Sequence, residues 1–374
     1  MRIVLYTHSL ISDWNHGNAH FLRGVLRDLE ARGHETLALE PEDSWSRAHL
    51  VAERGEAAIA QFAQDFPELT VATYGPDFDH AEALDRADVV IVHEWTEPAL
   101  VERLGRLRRA GAGFTLCFHD THHRAVSAEA EIGGLALDDY DLILAFGDTL
   151  RERYLARGWA DRVHTWHEAA DLRLFSPLPA NGPRQDLIWV GNWGDGERAR
   201  ELYTFLTEPA ARRGLSGTVR GVRYPDEALA KLAASGLRYG GSIANAEVPA
   251  AFARHRMTVH IPRRPYVEAL PGIPTIRVFE ALACGIPLIS APWDDAEGLF
   301  RQGDFIRVRT GGEMARAMSA LRDDTAFADE LARRGRETIE SRHSCTHRVD
   351  ELLAILSRLG SARTRQALPQ TELL

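Results

Sequence analysis

The sequence predicts two α/β domains, each a doubly wound parallel sheet, facing each other across a cleft. Three observations carry this. At 374 residues the chain is too long for one ordinary hydrophobic core. Short apolar runs alternate with amphipathic stretches in both halves, the rhythm of strand–helix–strand units. That rhythm breaks once, in "HEAADLRLFSPLPANGPRQD" (167–186), which is rich in Pro, Ala and polar residues and reads as a linker.

In the first half, "RIVLYTH" is the opening strand. "NAHFLRGVLRDLEARGHE" places Phe21, Leu22, Val25, Leu26 and Leu29 at helical spacing and stops at Gly33. "TLALE" follows as a strand, then a polar, helix-rich stretch. "ADVVIVHEW" is a buried strand, "PALVERLGRLRRAG" a helix, and "FTLCFHD" and "YDLILAF" two more strands. In the second half, "LIWVGN" is a strand, "RARELYTFLTEPAARRG" a helix, "GTVRGV" a strand, "DEALAKLAASG" a helix and "LRYGG" a short strand. "VPAAFARHR" and "MTVHIP" form the next helix and strand, and "LPGIPTIRVFEALACGIPLIS" (270–290) supplies a loop, a helix and a strand. Three helices close the chain. The expected organisation is a first domain over 1–168, a linker over 169–186 and a second domain over 187–344. A helix over 345–360, with the first domain as the surface open to it for packing back, and a flexible tail over 361–374 complete it.

A net charge of −10 argues against a general nucleic-acid or anionic-membrane binder, since both need a basic surface. No apolar run approaches the roughly 20 residues of a membrane span. "MRIVLYTHSL" is too polar for a signal peptide. Cys117, Cys284 and Cys345 are odd in number and far apart, which suits buried free thiols in a reducing cytoplasm. Lys231 is the only lysine, so a phosphate-binding cation here would be arginine, whose fork suits phosphate oxygens.

Doubly wound sheets bind ligands beyond the carboxyl ends of their strands, so the chemistry is sought there. His16, Gly17 and Asn18 follow the first strand and precede a helix; they would line the cleft or simply cap that helix. No G-x-G-x-x-G is present. His93, Glu94 and Trp95 end a strand, where an aromatic face and polar groups suit a sugar or a base; a polar rim around a packed tryptophan is the plainer reading. His119, Asp120, His122 and His123 end the next strand. Their spacing resembles metallohydrolase ligands, but no matching partner stands out elsewhere. A catalytic or substrate-orienting histidine fits better, with solvated histidines on a turn as the alternative. Gly191 and Asn192 end the first strand of the second half, followed by a Gly-containing loop and a helix whose first turn holds Arg198 and Arg200.

In "LPGIPTIRVFEALACG", Pro274 suits a helix start. Loop N–H groups and the helix dipole favour a phosphate, Arg277 adds charge, and Glu280 would accept from the vicinal hydroxyls of a ribose. A salt bridge between Arg277 and Glu280 on an exposed helix face is the alternative, but the surrounding residues are too apolar for such a face. The expected ligand is a nucleoside diphosphate.

These residues resemble the GT-B glycosyltransferases of the broad group 1, family 4-like type. Their donor helix reads Glu, seven residues, then Glu-Ala-x-Ala-x-Gly-x-Pro; here Glu280, Ala281, Ala283, Gly285 and Pro287 keep the second half. "RGHE", "HEAADLRLFSP" and "WVGNWGDGERAREL" match in order. "DWNHGNAHFLRGVLRDLEARGHE", "FHDTHHRAVS" and "PTIRVFEALACG" look like the bacterial CgeB-like, spore-maturation-type branch. The resemblance implies two Rossmann-like domains and transfer of a sugar from a UDP- or GDP-linked donor, with retention usual for the family. It implies a donor site of Gly191, Asn192, Arg198, Gly272, Ile273, Pro274, Thr275, Arg277 and Glu280. His119 and Asp120 would be catalytic, and His16, Gly17, Asn18, His93, Glu94 and Trp95 would lie on the acceptor side. No metal or other cofactor is expected. The acceptor, whether glycan, lipid-linked sugar, small molecule or protein, is not indicated.

Two departures stand out. The first Glu of the pattern falls on Gly272, and no lysine serves a phosphate pair, which leaves Arg198, Arg200, Arg263, Arg264 and Arg277 as candidates. Rival readings are a nucleotide-sugar epimerase or hydrolase on the same fold, a binding protein that has lost catalysis, and a metallohydrolase built on the histidines.

Overall fold

The apolar runs of the first half become strands buried on both faces, as parallel sheets covered by helices require. The structure, a computed structural model, describes residues 1–180 and 182–367. Among these, the first sheet contains β1 (Arg2–Tyr6), β2 (Glu35–Pro41), β3 (Val71–Tyr74), β4 (Val89–His93), β5 (Thr115–Asp120), β6 (Leu142–Ala145) and β7 (Val163–Thr165). Their order is β3-β2-β1-β4-β5-β6-β7, and every pairing is parallel. The second sheet contains β8 (Gln185–Val190), β9 (Gly217–Arg220), β10 (Leu237–Tyr239), β11 (His255–His260), β12 (Leu288–Ser290) and β13 (Ile306–Arg307). Its order is β10-β9-β8-β11-β12-β13, again parallel throughout. Strand order reverses between β1 and β4 in one sheet and between β8 and β11 in the other. These are the points where such sheets open a crevice.

Five helices position the site: α1 (Ala19–Ala31), α2 (Trp45–Arg54), α3 (Asp148–Arg157), α4 (Ile276–Ala283) and α5 (Cys345–Ala367). The stripe of Phe21, Leu22, Val25, Leu26 and Leu29 on α1 is buried against the first sheet. Helix α4 is buried almost all round, with Val278, Phe279, Ala281 and Leu282 in the core. The helical stretch over 199–213 has a π turn at Tyr203–Thr207, just before Pro209, which has no N–H to give to a regular ladder.

The two domains share one core. A single apolar cluster includes Phe21 and Trp166 of the first domain and Phe279 and Ile188 of the second. Two chain crossings lie side by side: Ala170 of the linker bridges Ser344, with Ala170 N–H donating to His343 O (3.0 Å) and Cys345 N–H to Ala170 O (3.0 Å). From there α5 returns onto α1. Gly24 makes that contact possible, because a Cβ there would meet Cys345 Sγ at 2.6 Å and Asp171 Cβ at 2.7 Å. Helix α5 runs on to Ala367, through positions that read as the start of a tail; residues 368–374 lie outside the described residues. Cys117, Cys284 and Cys345 are buried and none is in a disulfide. Among the described residues no helix is long and apolar enough to cross a membrane.

Candidate functional site

The two crevices face each other and enclose a cavity of about 300 Å³. Its walls come from the carboxyl ends of the switch-point strands. His8 follows β1, Trp95 follows β4, Gly191 and Asn192 follow β8, and His260 ends β11. The loop Asn15–Asn18 and Trp45, the first residue of α2, complete the first-domain wall. Arg198, Arg223, Arg263, Tyr266, Thr275 and Arg277 build the second.

The second-domain wall is cationic. Arg198 is buried, donates from Nη1 to Ile261 O (3.1 Å) and bonds Asn192 O. Burial first, then repulsion from Arg263, pulls its guanidinium down to about 10. Arg263 pairs with Glu197 at 2.6 Å. Thr275 is the N-cap of α4 and its side chain caps nothing; Thr275, Ile276 and Arg277 line the cavity, so the positive end of that helix lies at its wall.

The first-domain wall is aromatic and neutral. Trp45 and Trp95 are each 38% exposed. His8 stacks on Trp45 (centroids 5.3 Å, planes 8° apart) and packs against His16 at 4.0 Å. His122 meets Trp95 edge-on at 5.3 Å. Burial pulls His8 down to about 4. Burial also pulls His16 and His122 well below the ordinary range, helped by the neighbouring histidines and arginines.

Eleven of the residues singled out in the sequence line this cavity: His16, Gly17, Asn18, Trp95, His122, Gly191, Asn192, Arg198, Arg263, Thr275 and Arg277. The others lie behind it. His119 is fully buried, because its place on β5 turns the ring toward Phe21 and Trp166 (4.8 Å) under α1. Burial drops it to about 3, and neither ring nitrogen has a hydrogen-bond partner. Asp120 accepts from Tyr154 Oη (2.7 Å) and from the His122 N–H (3.1 Å), so it holds the turn that carries His122. Burial lifts its carboxyl to about 6, against the pull of those two hydrogen bonds. His93 Nε2 bonds Thr121 Oγ1 (3.0 Å), and Glu94 is buried against Arg124 Nη1 (3.2 Å).

The loop before α4 also differs from expectation. Ile273 is fully buried in the core of the first domain, and Thr149 Oγ1 of α3 donates to Pro271 O (2.7 Å). Gly272 to Pro274 therefore pack against the first domain, and only Thr275 reaches the cavity. At Gly272, where φ is +90°, a Cβ would meet Glu297 Cγ at 2.6 Å. The space beside it holds the Glu297 carboxylate, which contacts His167 Nε2 (2.6 Å) and accepts from the Asp148 N–H (2.8 Å). Glu280 is 0% exposed: Arg277 bonds its Oε2, and His20 Nδ1 of the first domain lies 2.7 Å from Oε1. The Arg277–Glu280 pair doubted on an exposed face thus exists, but inside the domain interface. Of the remaining candidate arginines, Arg263 reaches the cavity, whereas Arg200 and Arg264 do not line it.

Sequence reading missed His8, Trp45, Trp189, Arg223, His260 and Tyr266. His8 and His260 stand at strand ends like those it found. Trp45 lies about thirty residues from the loop it joins, with no local motif to announce it. Among the described residues no three His, Cys, Asp or Glu side chains converge to hold a metal ion.

Two parallel-sheet domains closing strand end to strand end define the GT-B architecture, and comparison with solved structures bears this out. Sucrose-phosphate synthase from Thermosynechococcus elongatus superposes with a TM-score of 0.68 at 15% identity, covering 97% of this chain and all of that one. Anabaena HepE, in complex with UDP and glucose, gives 0.68 at 14% over 96% of this chain and all of its own. An α-glucosyltransferase in complex with UDP gives 0.71 at 12% over the same shares. At such identities the likeness speaks for the fold. Residues 198–354 match the family described as glycosyl transferase-like. No curated protein matches the sequence.

Proposed function

We propose that the protein transfers a sugar from a nucleotide-sugar donor, UDP- or GDP-linked, to an acceptor held on the first domain, without a metal. The observation that carries this is the cavity between the two switch points, with four arginines and the N-terminus of α4 on one wall. A diphosphate fits that wall: guanidiniums and the positive end of a helix stabilise negative charge. In transfer, the bond from the anomeric carbon to the diphosphate breaks, and the diphosphate leaves with the electron pair. The acceptor oxygen bonds to that carbon and its proton passes to a base. Arg198, Arg263 and Arg277 stabilise the charge growing on the diphosphate, and a neutral imidazole on the opposite wall is placed to take the proton. Glu280 acts here by holding Arg277, and Asp120 by holding the turn of His122; both are positioning residues. The glycosyl transferase-like match of the second domain, the UDP-bound neighbours and the CgeB-like sequence stretches support the reading. Its three buried thiols suit the cytoplasm.

Calorimetric titration of UDP, GDP, ADP and dTDP, with their sugar conjugates, into the wild type and Arg263→Ala tests it. Micromolar binding of one nucleotide, weakened about tenfold by the substitution, is expected; no binding to the wild type would overturn the reading. A nucleotide-sugar-binding protein without transferase activity is the second reading, favoured by the burial of His119 and by the glycine at 272. Product analysis separates the two, and an epimerised or freely released sugar would instead mark an epimerase or hydrolase.

A further inference from the structure

We propose that the first-domain wall binds the uncharged pyranose ring of a carbohydrate acceptor. This rests on the transferase reading and names the substrate class for the other half of the same cavity.

Three observations converge. Trp45 and Trp95 keep 38% of their surface exposed while lining a cavity in a chain that buries most of its large apolar side chains. Each is braced by a neighbour on its ring: His8 stacks on Trp45 at 5.3 Å, and the Arg124 guanidinium lies 4.5 Å from the Trp95 ring centre. A braced, half-open indole offers a flat surface, and the face of a pyranose, a run of C–H bonds, packs on such a surface. The second observation is unmet hydrogen bonding. Neither ring nitrogen of His8 has a partner, and His122 Nδ1 has none either. Buried polar atoms are nearly always bonded, so these ask for a ligand. Each neutral imidazole offers one donor and one acceptor, and a hydroxyl is likewise both. The third observation is charge. No carboxylate, lysine or arginine of the first domain lines the cavity, and Glu94 and Arg124 behind the wall pair with each other. A carboxylated sugar would find no cation on this wall, and an amino sugar no anion. A purely aromatic acceptor would stack on the tryptophans and leave the imidazoles unsatisfied.

Saturation-transfer NMR tests this on the full chain. The probes are the methyl pyranosides of glucose, galactose, mannose and N-acetylglucosamine, against methyl glucuronide, methyl glucosaminide and phenol. At least one neutral glycoside is expected to give a signal, strongest on its ring C–H protons, at least fivefold above the charged analogues and phenol. Trp45→Ala and Trp95→Ala should each lower that signal at least fivefold, and Trp95→Phe should restore most of it. Thermal melting verifies that each variant is folded. Absence of signal from every neutral glycoside, or a stronger one from a charged analogue or phenol, overturns the inference. So does a signal unchanged in both folded alanine variants. The readout does not need turnover or donor, so it is scored apart from the nucleotide titration: nucleotide binding without glycoside binding sinks only this inference, and glycoside binding without nucleotide binding sinks only the transferase reading.

Discussion

The two walls of the cleft stand at equivalent places on two similar sheets, yet they carry opposite chemistry. The second-domain wall concentrates arginine: Arg198, Arg223, Arg263 and Arg277. The first-domain wall has tryptophan, asparagine and histidines that burial keeps neutral. Equivalent topology thus fixes where a ligand goes and leaves its class to the side chains at the strand ends. The chain as a whole is acidic, so the arginine wall is a local feature set against the net charge.

The largest expected effect comes from removing the arginine that joins wall to core. Arg277→Ala leaves Glu280 buried without its guanidinium, and loss of one partner of a buried pair costs about 3–5 kcal/mol. Denaturant unfolding should show that loss, and nucleotide titration a loss of binding. The double change Arg277→Leu, Glu280→Leu should recover most of the stability and none of the binding, which separates the two roles. Next comes the contact that sets the walls opposite each other. Gly24→Ala forces a methyl group onto Cys345 and Asp171, with an overpacking cost of about 1–3 kcal/mol read from the same unfolding curves.

Acid should act through the neutral wall. His8 titrates at 6.5 when unfolded and about 4 when folded, and His119 at about 3. Below the unfolded value the unfolded chain takes up protons that the folded chain refuses. Stability is therefore fully present above about pH 6.5 and is lost as pH falls toward 4, by up to about 1.4 kcal/mol per pH unit for each such group. Asp120, lifted to about 6, works the other way: between its ordinary 3.8 and 6 it favours folding as pH falls. The depressed histidines outnumber the raised carboxyls, so melting temperature should drop between pH 6.5 and 4.5. A flat profile would mean that the wall histidines are solvated and charged. The smallest effect is that of salt. Raising it from about 0.05 to 0.5 M should weaken nucleotide binding several-fold and leave binding of a neutral methyl glycoside unchanged, because screening touches only the arginine wall.

The central strands were legible because burial on both faces writes an unbroken apolar run, as in "VVIVH" and "LILA". The strands that escaped, β3, β7 and β13, are all sheet edges of two to four residues. An edge strand is short and partly solvated, so it leaves little pattern. In the site, residues just past a strand end were found, because direction there is set by topology. His119 was misplaced because it still lies within β5, where its ring turns under α1; His122, past the strand end, is the histidine of this segment that lines the cavity. Gly272 to Pro274 were misplaced because nothing local tells a loop that it will pack on the other domain. Trp45 and Arg223 escaped because they join the cavity only once the chain has folded.

The paired crossing at Ala170 and Ser344 has a mechanical consequence. A body tethered by one strand can swing and twist about every axis. Two segments crossing side by side, clamped by α5 against Gly24 on α1, take away most of those freedoms and, with an apolar core running through both domains, keep the arginine wall set against the aromatic wall.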